Sequence, residues 1–140
     1  MKKFLKKFNR LDLAILLGLA VFLTFAFLYS RREVFGSSKF MISFFAEDAM
    51  PFVADAIKIG DPIYQHGIGV FFGNVISIEV REINPERVDI IVSGVLELPE
   101  NALNNGLLIG GNLYSIGQTV AFRAGDGILN SRVMALEKLE

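Results

Sequence analysis

The pattern of apolar and polar positions divides the chain into two parts with different periods. Between Leu13 and Ser30 the sequence LAILLGLAVFLTFAFLYS contains no charged residue. A helix of this length covers about 27 Å at 1.5 Å per residue, close to the roughly 30 Å hydrocarbon core of a bilayer. A helix in the core of a soluble protein would show a polar face in such a window. Residues 13–30 therefore predict a transmembrane helix.

From Lys39 onward the pattern changes to short runs of β-forming residues separated by turn residues. KFMISFFA predicts a first strand, and EDAMPFVADAI predicts one or two helical turns with Asp48 as a possible cap and Pro51 in the first turn. No long helical period follows residue 57. The outer part of the chain is therefore predicted to be mostly β.

Two pairs of alternating runs predict hairpins in this outer part. GNVISIEVREI and RVDIIVSGVLEL alternate on either side of NPER, which predicts a half-buried hairpin. Asp126-Gly127 marks a second hairpin between two further runs. The fold class is accordingly mainly β, with an N-terminal transmembrane helix followed by a small β-barrel-like domain containing two similar hairpin units. The predicted domains are a basic cytoplasmic segment at 1–12, the transmembrane helix at 13–30, a linker at 31–38 and an extracytoplasmic β domain at 39–140.

One eleven-residue phrase occurs twice in the β domain, as IKIGDPIYQHG from Ile57 and as LLIGGNLYSIG from Leu107. In each copy the first glycine permits a backbone conformation with positive φ, and the second allows another tight bend. The aliphatic residue and the tyrosine between them are β-formers. We interpret the phrase as a folding device in preference to a ligand site, with the structural turn glycines Gly60, Gly67, Gly110 and Gly117.

The charges beside the apolar run predict its orientation in a membrane. Five cations precede the run and three follow it. Positive residues stay preferentially on the cytoplasmic side, so the amino terminus is predicted to be cytoplasmic and the β domain extracytoplasmic. A secretory signal has a similar outline, but the run is long for a signal and YSRRE offers no small-x-small cleavage pattern. An uncleaved anchor in the bacterial cytoplasmic membrane is favoured.

The outer part of the chain is acidic, which narrows the classes of partner. Residues 33–140 carry seven positive and fourteen negative side chains. This balance disfavours nucleic acid and anionic headgroups as general partners, whereas the basic start suits the cytoplasmic leaflet. The chain contains no cysteine, which excludes disulfides, thiol catalysis and cysteine-bound metals.

The residue types that carry chemistry are sparse and poorly spaced. GIGVFFGN has the wrong glycine spacing for a dinucleotide loop, and no helix is predicted after it. His66 is the only histidine, so neither a zinc-binding pair nor a hydrolase triad can be assembled. A solvated loop position is the default for it, and a pH-sensing or contact role is the alternative. We predict no catalytic residue, no metal, no cofactor and no enzymatic activity.

Phe71 and Phe72 are the candidate contact residues. Adjacent residues in a strand point to opposite faces, so a two-layered core does not easily bury both rings. One ring is then free to face a partner, a pore or lipid. The alternative is that a twisted barrel and a loop cover them both.

Nearly the whole chain resembles a bacterial family of single-span membrane proteins that is catalogued only as a domain of unknown function. The resemblance rests on the basic start, Asn9-Arg10-Leu11-Asp12-Leu13, the single span, VADAIKIGDPIY, GNVISIEV and GLLIGGNLYSIGQTVAFRAGDGI. It implies an anchored β domain outside the cytoplasm and implies no activity.

IKIGDPIY, GVFFGNVISI and LPENALNNGLLIGG are also similar in order to the glycine-marked strands of the mammalian-cell-entry domain. In this chain the gap between Gly60 and Gly69 is two residues longer, and no helical extension follows the domain. This resemblance implies a ring-forming subunit of a lipid transport system.

These observations predict a membrane-anchored structural or interaction module that docks onto a larger envelope complex or onto copies of itself. The alternative function is a lipid-transport subunit, with lipid as a possible ligand. The bilayer is the predicted partner of residues 13–30.

Overall fold

The computed structural model describes residues 9–30 and 36–139. The chain divides into two compact units between residues 34 and 35. The predicted basic residues before Asn9 and most of the predicted linker lie outside the described residues.

The first unit contains one helix, α1, from Arg10 to Ser30. Its start is defined by local hydrogen bonds, because the Asn9 side chain accepts from the Arg10 amide at 3.0 Å and the Asp12 carboxylate accepts from the Asn9 amide at 3.2 Å. Thr24 donates its hydroxyl to the Ala20 carbonyl at 2.7 Å, so the polar group in the middle of the helix is satisfied within it. None of the side chains of α1 is buried. By length and composition α1 can cross a membrane.

The second unit is built from eight strands and one short helix. In chain order these are β1 Ser37–Ala49, α2 Pro51–Asp55, β2 Pro62–Gln65, β3 Phe71–Asn84, β4 Arg87–Pro99, β5 Leu107–Ile109, β6 Asn112–Tyr114, β7 Thr119–Ala124 and β8 Gly127–Leu139.

Six of the strands pair into one closed, barrel-like sheet in the order β1-β4-β3-β2-β7-β8, in which β8 returns to β1. Every neighbouring pair in it is antiparallel. The fold class predicted from the sequence is confirmed, including the hairpins β3–β4 and β7–β8. The turn of the second hairpin lies one residue before the predicted Asp126-Gly127. Gly125 and Asp126 form it, and Gly127 already pairs with Ala124.

The β domain consists of two halves with the same order of elements. Each half has a long strand, a capping element, a glycine turn, a short strand and a second long strand. The first half contains β1, α2, β2 and β3, and the second contains β4, the β5–β6 hairpin, β7 and β8. The two first strands pair with each other, as do the two short strands. The halves are therefore related by an approximate twofold axis.

Strand registers in the two halves agree around Val75 of β3 and Val133 of β8. Val75 pairs with Gly94, and its counterpart Val133 pairs with Phe44. Both pairings are followed by a bulge that skips one residue, Ile76 in β3 and Met134 in β8. Such bulges increase the local twist of a strand. The coincidence of register and bulge shows that the repeat extends well beyond the eleven-residue phrase.

The core fills the inside of the closed sheet with aromatic and aliphatic side chains. Phe44 lies at its centre, with ring centroids 5.1 Å from Phe72 and 4.8 Å from Phe122. The three rings come from β1, β3 and β7, so they join both halves of the domain. Tilted ring pairs of this kind contribute beyond their buried area.

The two open ends of the barrel are closed by different elements. At the helix end, where β1 stops and β3 turns into β4, α2 packs against β4 and β8. At the hairpin end, where β1 begins and β4 stops, the β5–β6 hairpin buries Leu107, Ile109 and Tyr114. This hairpin is an element that we did not predict from the sequence.

One detail of the predicted helix is wrong. α2 begins with Pro51 at its first position, and Met50 is the capping residue, without a side-chain hydrogen bond. Asp48 instead lies in β1, where its amide donates to the Asp89 carboxylate at 3.1 Å. That contact joins the bulge of β1 to a side chain of β4, so Asp48 is held by a neighbouring strand and not at the start of α2.

Candidate functional site

Phe71 and Phe72 lie on opposite faces of β3. Phe72 is 0% exposed, and its ring meets the edge of Tyr114 with centroids 4.9 Å apart. Phe71 is 41% exposed. The structure therefore does not cover both rings. Phe71 is the one that is available for an external contact.

The exposed ring is part of an aromatic pair on the outside of the domain. Phe71 lies directly opposite Tyr64 of β2, with ring centroids 5.4 Å apart. Tyr64 is also partly exposed. The pair presents two adjacent aromatic faces with one phenol hydroxyl, which is a common composition for a protein contact surface.

Beside this pair runs an open groove along β2 and the loop that follows it. Its lining includes Tyr64, His66, Ile68 and Arg123. The His66 amide donates to the Ala121 carbonyl at 2.8 Å, which holds the loop on β7, and the residue itself is exposed. The groove therefore combines the rings of Tyr64 and His66 with an aliphatic side chain and a cation.

All four glycines of the repeated phrase adopt positive φ: +94° at Gly60, +87° at Gly67, +56° at Gly110 and +88° at Gly117. The side chains between the glycines nevertheless face differently in the two copies. Ile63 is buried beside exposed Tyr64, whereas Leu113 is exposed beside buried Tyr114. The two copies are therefore not equivalent in the fold.

The structural counterpart of Gly60 is Gly117. The Gly60 amide donates to the Val75 carbonyl at 2.8 Å, and the Gly117 amide donates to the Val133 carbonyl at 2.7 Å. In both turns the next residue's side chain accepts a backbone hydrogen bond: Asp61 from Lys58 at 2.8 Å, and Gln118 from Ser115 at 3.0 Å. Thus the second glycine of one copy matches the first glycine of the other.

The two copies also touch each other directly. The Tyr114 hydroxyl donates a hydrogen bond to the side-chain carbonyl of Gln65. Burial raises the pKa of the Tyr114 phenol above its ordinary value of 10.0. This contact ties the β5–β6 hairpin to the end of β2, next to the groove.

Among residues 9–30 and 36–139 no strand pairs with one long edge of β3. Its pairing with β2 extends only from Phe71 to Asn74, and beyond the link between Val75 and Asp61 the stretch 76–84 pairs with β4 alone. Its counterpart is the stretch 134–139 of β8, which pairs with β1 but lies beyond the pairing with β7. We call these two stretches the open edges. Each begins with a half-exposed apolar residue, Ile76 or Met134.

Among residues 9–30 and 36–139 no three His, Asp or Glu side chains come together in a metal-binding group. Three ion pairs join described residues, Arg81 with Glu79, Arg87 with Asp48 and Arg132 with Glu47, and all are largely solvent-exposed. They contribute little stability individually. The six charged groups of these pairs lie on the outside of the domain.

Comparisons of this chain with protein families, with curated proteins and with solved structures found no match.

Sequence reasoning missed the open edges and the β5–β6 hairpin. The hairpin had a local signal, since Gly110-Gly111 separates two apolar runs as a two-residue turn does. The open edges had none, because the length over which neighbouring strands overlap depends on how the sheet closes.

Proposed function

We propose that this protein is a membrane-anchored extracytoplasmic interaction module, an accessory subunit of a larger complex in the bacterial envelope. α1 would be the anchor, with the amino terminus in the cytoplasm. The proposal includes no catalysed reaction. Its partner is a protein, either another subunit or a second copy of this chain.

The observation that carries the proposal is the pair of open edges. An unpaired strand edge presents a row of backbone N–H and C=O groups that can accept another strand. Partner proteins use such edges by adding an extended segment to the sheet, and the alternate side chains supply specificity. In β3 the side chains along the edge include Ile76, Val80 and Ile83, all about half exposed.

The charges along the same edge set the partner's chemistry. Glu79 and Arg81 of β3 bond to each other at 3.0 Å, and Glu82 follows them. Charged residues on an edge oppose indiscriminate pairing. A partner segment that joins this edge should therefore be extended, mostly apolar, and should carry at least one cation opposite Glu82.

Site-specific crosslinking in cells tests this proposal. A photo-crosslinking residue placed at Ile76 or at Met134 should give a discrete protein adduct. The same residue at Met41, which is partly exposed but is paired on both sides, with Val95 of β4 and with Glu137 of β8, is the matched control. A lysine at Val80 should abolish the Ile76 adduct because it opposes pairing at the edge, while the melting temperature stays near that of the parent. Adducts of equal yield at all three sites, or none at Ile76 and Met134, would reject the edges as the contact.

The orientation is tested by cysteine labelling, which has no background from native residues because the chain contains no cysteine. A cysteine at Ser37 should react with a membrane-impermeant thiol reagent in spheroplasts, whereas one at Lys3 should react only after lysis. The five-to-three excess of cations before the helix supports this orientation. The reverse pattern of labelling would place the β domain in the cytoplasm.

The groove beside Tyr64 favours a second candidate function, that of a lipid-transport subunit. Apolar Ile68 and cationic Arg123 line the same groove, a combination that suits an acyl chain with a phosphate headgroup. Native mass spectrometry of the detergent-solubilised protein should then detect bound phospholipid that Arg123→Gln loses. A lipid-free monomer would leave only the interaction module.

A further inference from the structure

Exposed aliphatic side chains gather on the outer surface of the hairpin end. Leu108 and Leu113 are cross-strand neighbours on the outer face of the β5–β6 hairpin, 49% and 51% exposed. Ile116 follows them and Ile68 lies on the β2–β3 loop, 65% and 68% exposed. We call these four residues the apolar cap.

The backbone holds the apolar cap in place. Ile68 stands between two glycines with positive φ, Gly67 and Gly69, on a loop closed by a hydrogen bond of 2.9 Å from the Gly69 amide to the Gln65 carbonyl. Val70 of the same loop approaches Gly110 in the β5–β6 turn. The buried Tyr114 anchors the hairpin from beneath through Gln65. A firmly held apolar surface remains costly in water and favours a covering partner.

The segments that carry the apolar cap contain no carboxylate, lysine or arginine. Between Asp61 and Glu79, and again between Glu100 and Arg123, there is no Asp, Glu, Lys or Arg. The other charged residues at this end are Glu97, Glu137, Lys39 and Lys138 on the long strands and Glu100 in the turn directly after β4. The apolar cap therefore offers no carboxylate, lysine or arginine that could pair with the charges of a protein partner. It can enter the interfacial layer of a bilayer without the cost of desolvating such a group.

The helix end is the internal comparison, because the twofold relation makes α2 the counterpart of the hairpin. α2 exposes Phe52, 67% exposed, but acidic residues lie near it in sequence and along the same end. Glu47 and Asp48 are paired with Arg132 and Arg87, and the others are Asp55, Glu82, Glu86 and Asp126. Carboxylates are repelled by anionic headgroups and are costly to bury in lipid. Of the two ends, the hairpin end alone combines exposed aliphatic residues with a β2–β3 loop and a β5–β6 hairpin that contain no carboxylate, lysine or arginine.

Chain length puts the hairpin end within reach of the membrane. β1 begins at that end with Ser37, and α1 ends at Ser30. Seven residue steps of extended chain span at most about 25 Å. Any bilayer that contains α1 is therefore accessible to the end of the domain at which β1 begins.

We propose that the apolar cap is a second membrane contact, which inserts Ile68, Leu108, Leu113 and Ile116 into the interfacial layer of the bilayer that holds α1. This inference rests on the proposed function only in that α1 spans the membrane. The contact depends on apolar burial and not on headgroup charge. It would keep the hairpin end at the lipid surface and direct the helix end, with the open edge of β3, toward a partner.

The full chain in phospholipid nanodiscs tests the contact. Single cysteines at Leu113 and at Ile68 carry an environment-sensitive fluorophore, and lipids with a nitroxide near the headgroup serve as quencher. Fluorescence at both sites should be lost to the quencher, and equally in phosphatidylcholine and phosphatidylglycerol discs. A cysteine at Phe52 is the matched control and should keep its fluorescence. Quenching equal at Phe52 and Leu113, or absent at Leu113, overturns the proposal.

Two further experiments distinguish a failure of the apolar cap from a failure of the anchor, and a lipid contact from self-association. A label at Leu19, in the middle of α1, reports the anchor in discs whose lipids carry the nitroxide at the end of an acyl chain. Quenching there, without quenching at Leu113 by the headgroup nitroxide, rejects the apolar cap and leaves the anchor intact. No quenching at Leu19 rejects the anchor itself. Discs that hold one chain and discs that hold two distinguish lipid from a second copy. Quenching at Leu113 in one-chain discs supports the lipid contact. Protection of Leu113 that requires two chains assigns the surface to self-association and overturns the proposal.

Discussion

Ser43 and Ser93 share a hydrogen bond of 2.8 Å between their buried hydroxyl groups, at the position where the two halves of the β domain meet. They lie directly opposite each other in the β1–β4 pair and occupy equivalent positions in the internal repeat. Each hydroxyl is thus satisfied by its own counterpart. The approximate twofold axis passes between them.

This pair predicts a strongly non-additive pattern of stability. Ser43→Ala or Ser93→Ala should each lower the free energy of unfolding by about 1–3 kcal/mol, because the remaining hydroxyl is left buried without a partner. The double variant should be close to the parent, since both polar groups are then gone. Chemical denaturation of the four proteins measures the coupling. Additive losses would mean that the hydroxyls do not depend on each other.

Glycine substitution tests the equivalence of the two turns. Gly60→Ala and Gly117→Ala should each cost about 1–3 kcal/mol, because a side chain at their positive φ is strained although the surrounding space is open. Gly110→Asn should cost less, since its φ of +56° lies in the left-handed region that asparagine tolerates. A similar loss at Gly60 and Gly110 but not at Gly117 would restore the pairing suggested by the phrase.

Phe71 and Phe72 should respond differently to truncation. Phe72→Ala should lower the free energy of unfolding by about 3–5 kcal/mol, because it empties a buried site that touches Phe44 and Tyr114. Phe71→Ala should cost about 0.5–1.5 kcal/mol, the contribution of its ring pair with Tyr64. Phe71→Ala should instead weaken self-association, lipid retention or recovery of the partner complex.

Thermal melts and native mass measurement on the same two proteins check this asymmetry. The melting temperature should fall strongly for Phe72→Ala only, and the assembly state should change for Phe71→Ala. Equal and large destabilisation by both would place Phe71 in the core as well, against its exposure.

Tyr114 predicts a loss of stability in alkali. Its pKa is raised in the folded protein, so the folded state keeps a proton that the unfolded state releases near pH 10. Stability from this group is fully present below about pH 10 and is lost as pH rises through the folded pKa. Tyr114→Phe should reduce that slope and cost about 0.5–1.5 kcal/mol at neutral pH through the lost bond to Gln65.

Denaturant unfolding between pH 7 and pH 11 measures the slope, with Tyr64→Phe as the variant that leaves Tyr114 in place. An unchanged slope in Tyr114→Phe would show that the phenol ionises alike in both states.

The local sequence was sufficient for the helix α1, for the hairpins β3–β4 and β7–β8, and for the opposite facing of Phe71 and Phe72. These features depend on apolar length, on alternation with a period of two and on turn residues, all of which act within a few positions of the chain. The capping of α2 was the exception, because Asp48 bonds to Asp89 in a neighbouring strand. At Asp48 the long-range contact with Asp89 takes precedence over the local preference of aspartate for a helix cap.

The strand order of the closed sheet, the true counterpart of Gly60 and the open edges were decided only by the tertiary structure. The amino-acid sequence aligns Gly60 with Gly110, whereas the backbone hydrogen bonds align it with Gly117. The difference arises because the β5–β6 hairpin and its connections occupy more of the chain than α2 does. Which strand edges stay unpaired depends on the overlap of β2 with β3 and of β7 with β8, which is set when distant strands close the barrel. Periodicity within one segment of sequence contains no information on that overlap, since it arises between segments that meet only in the folded chain.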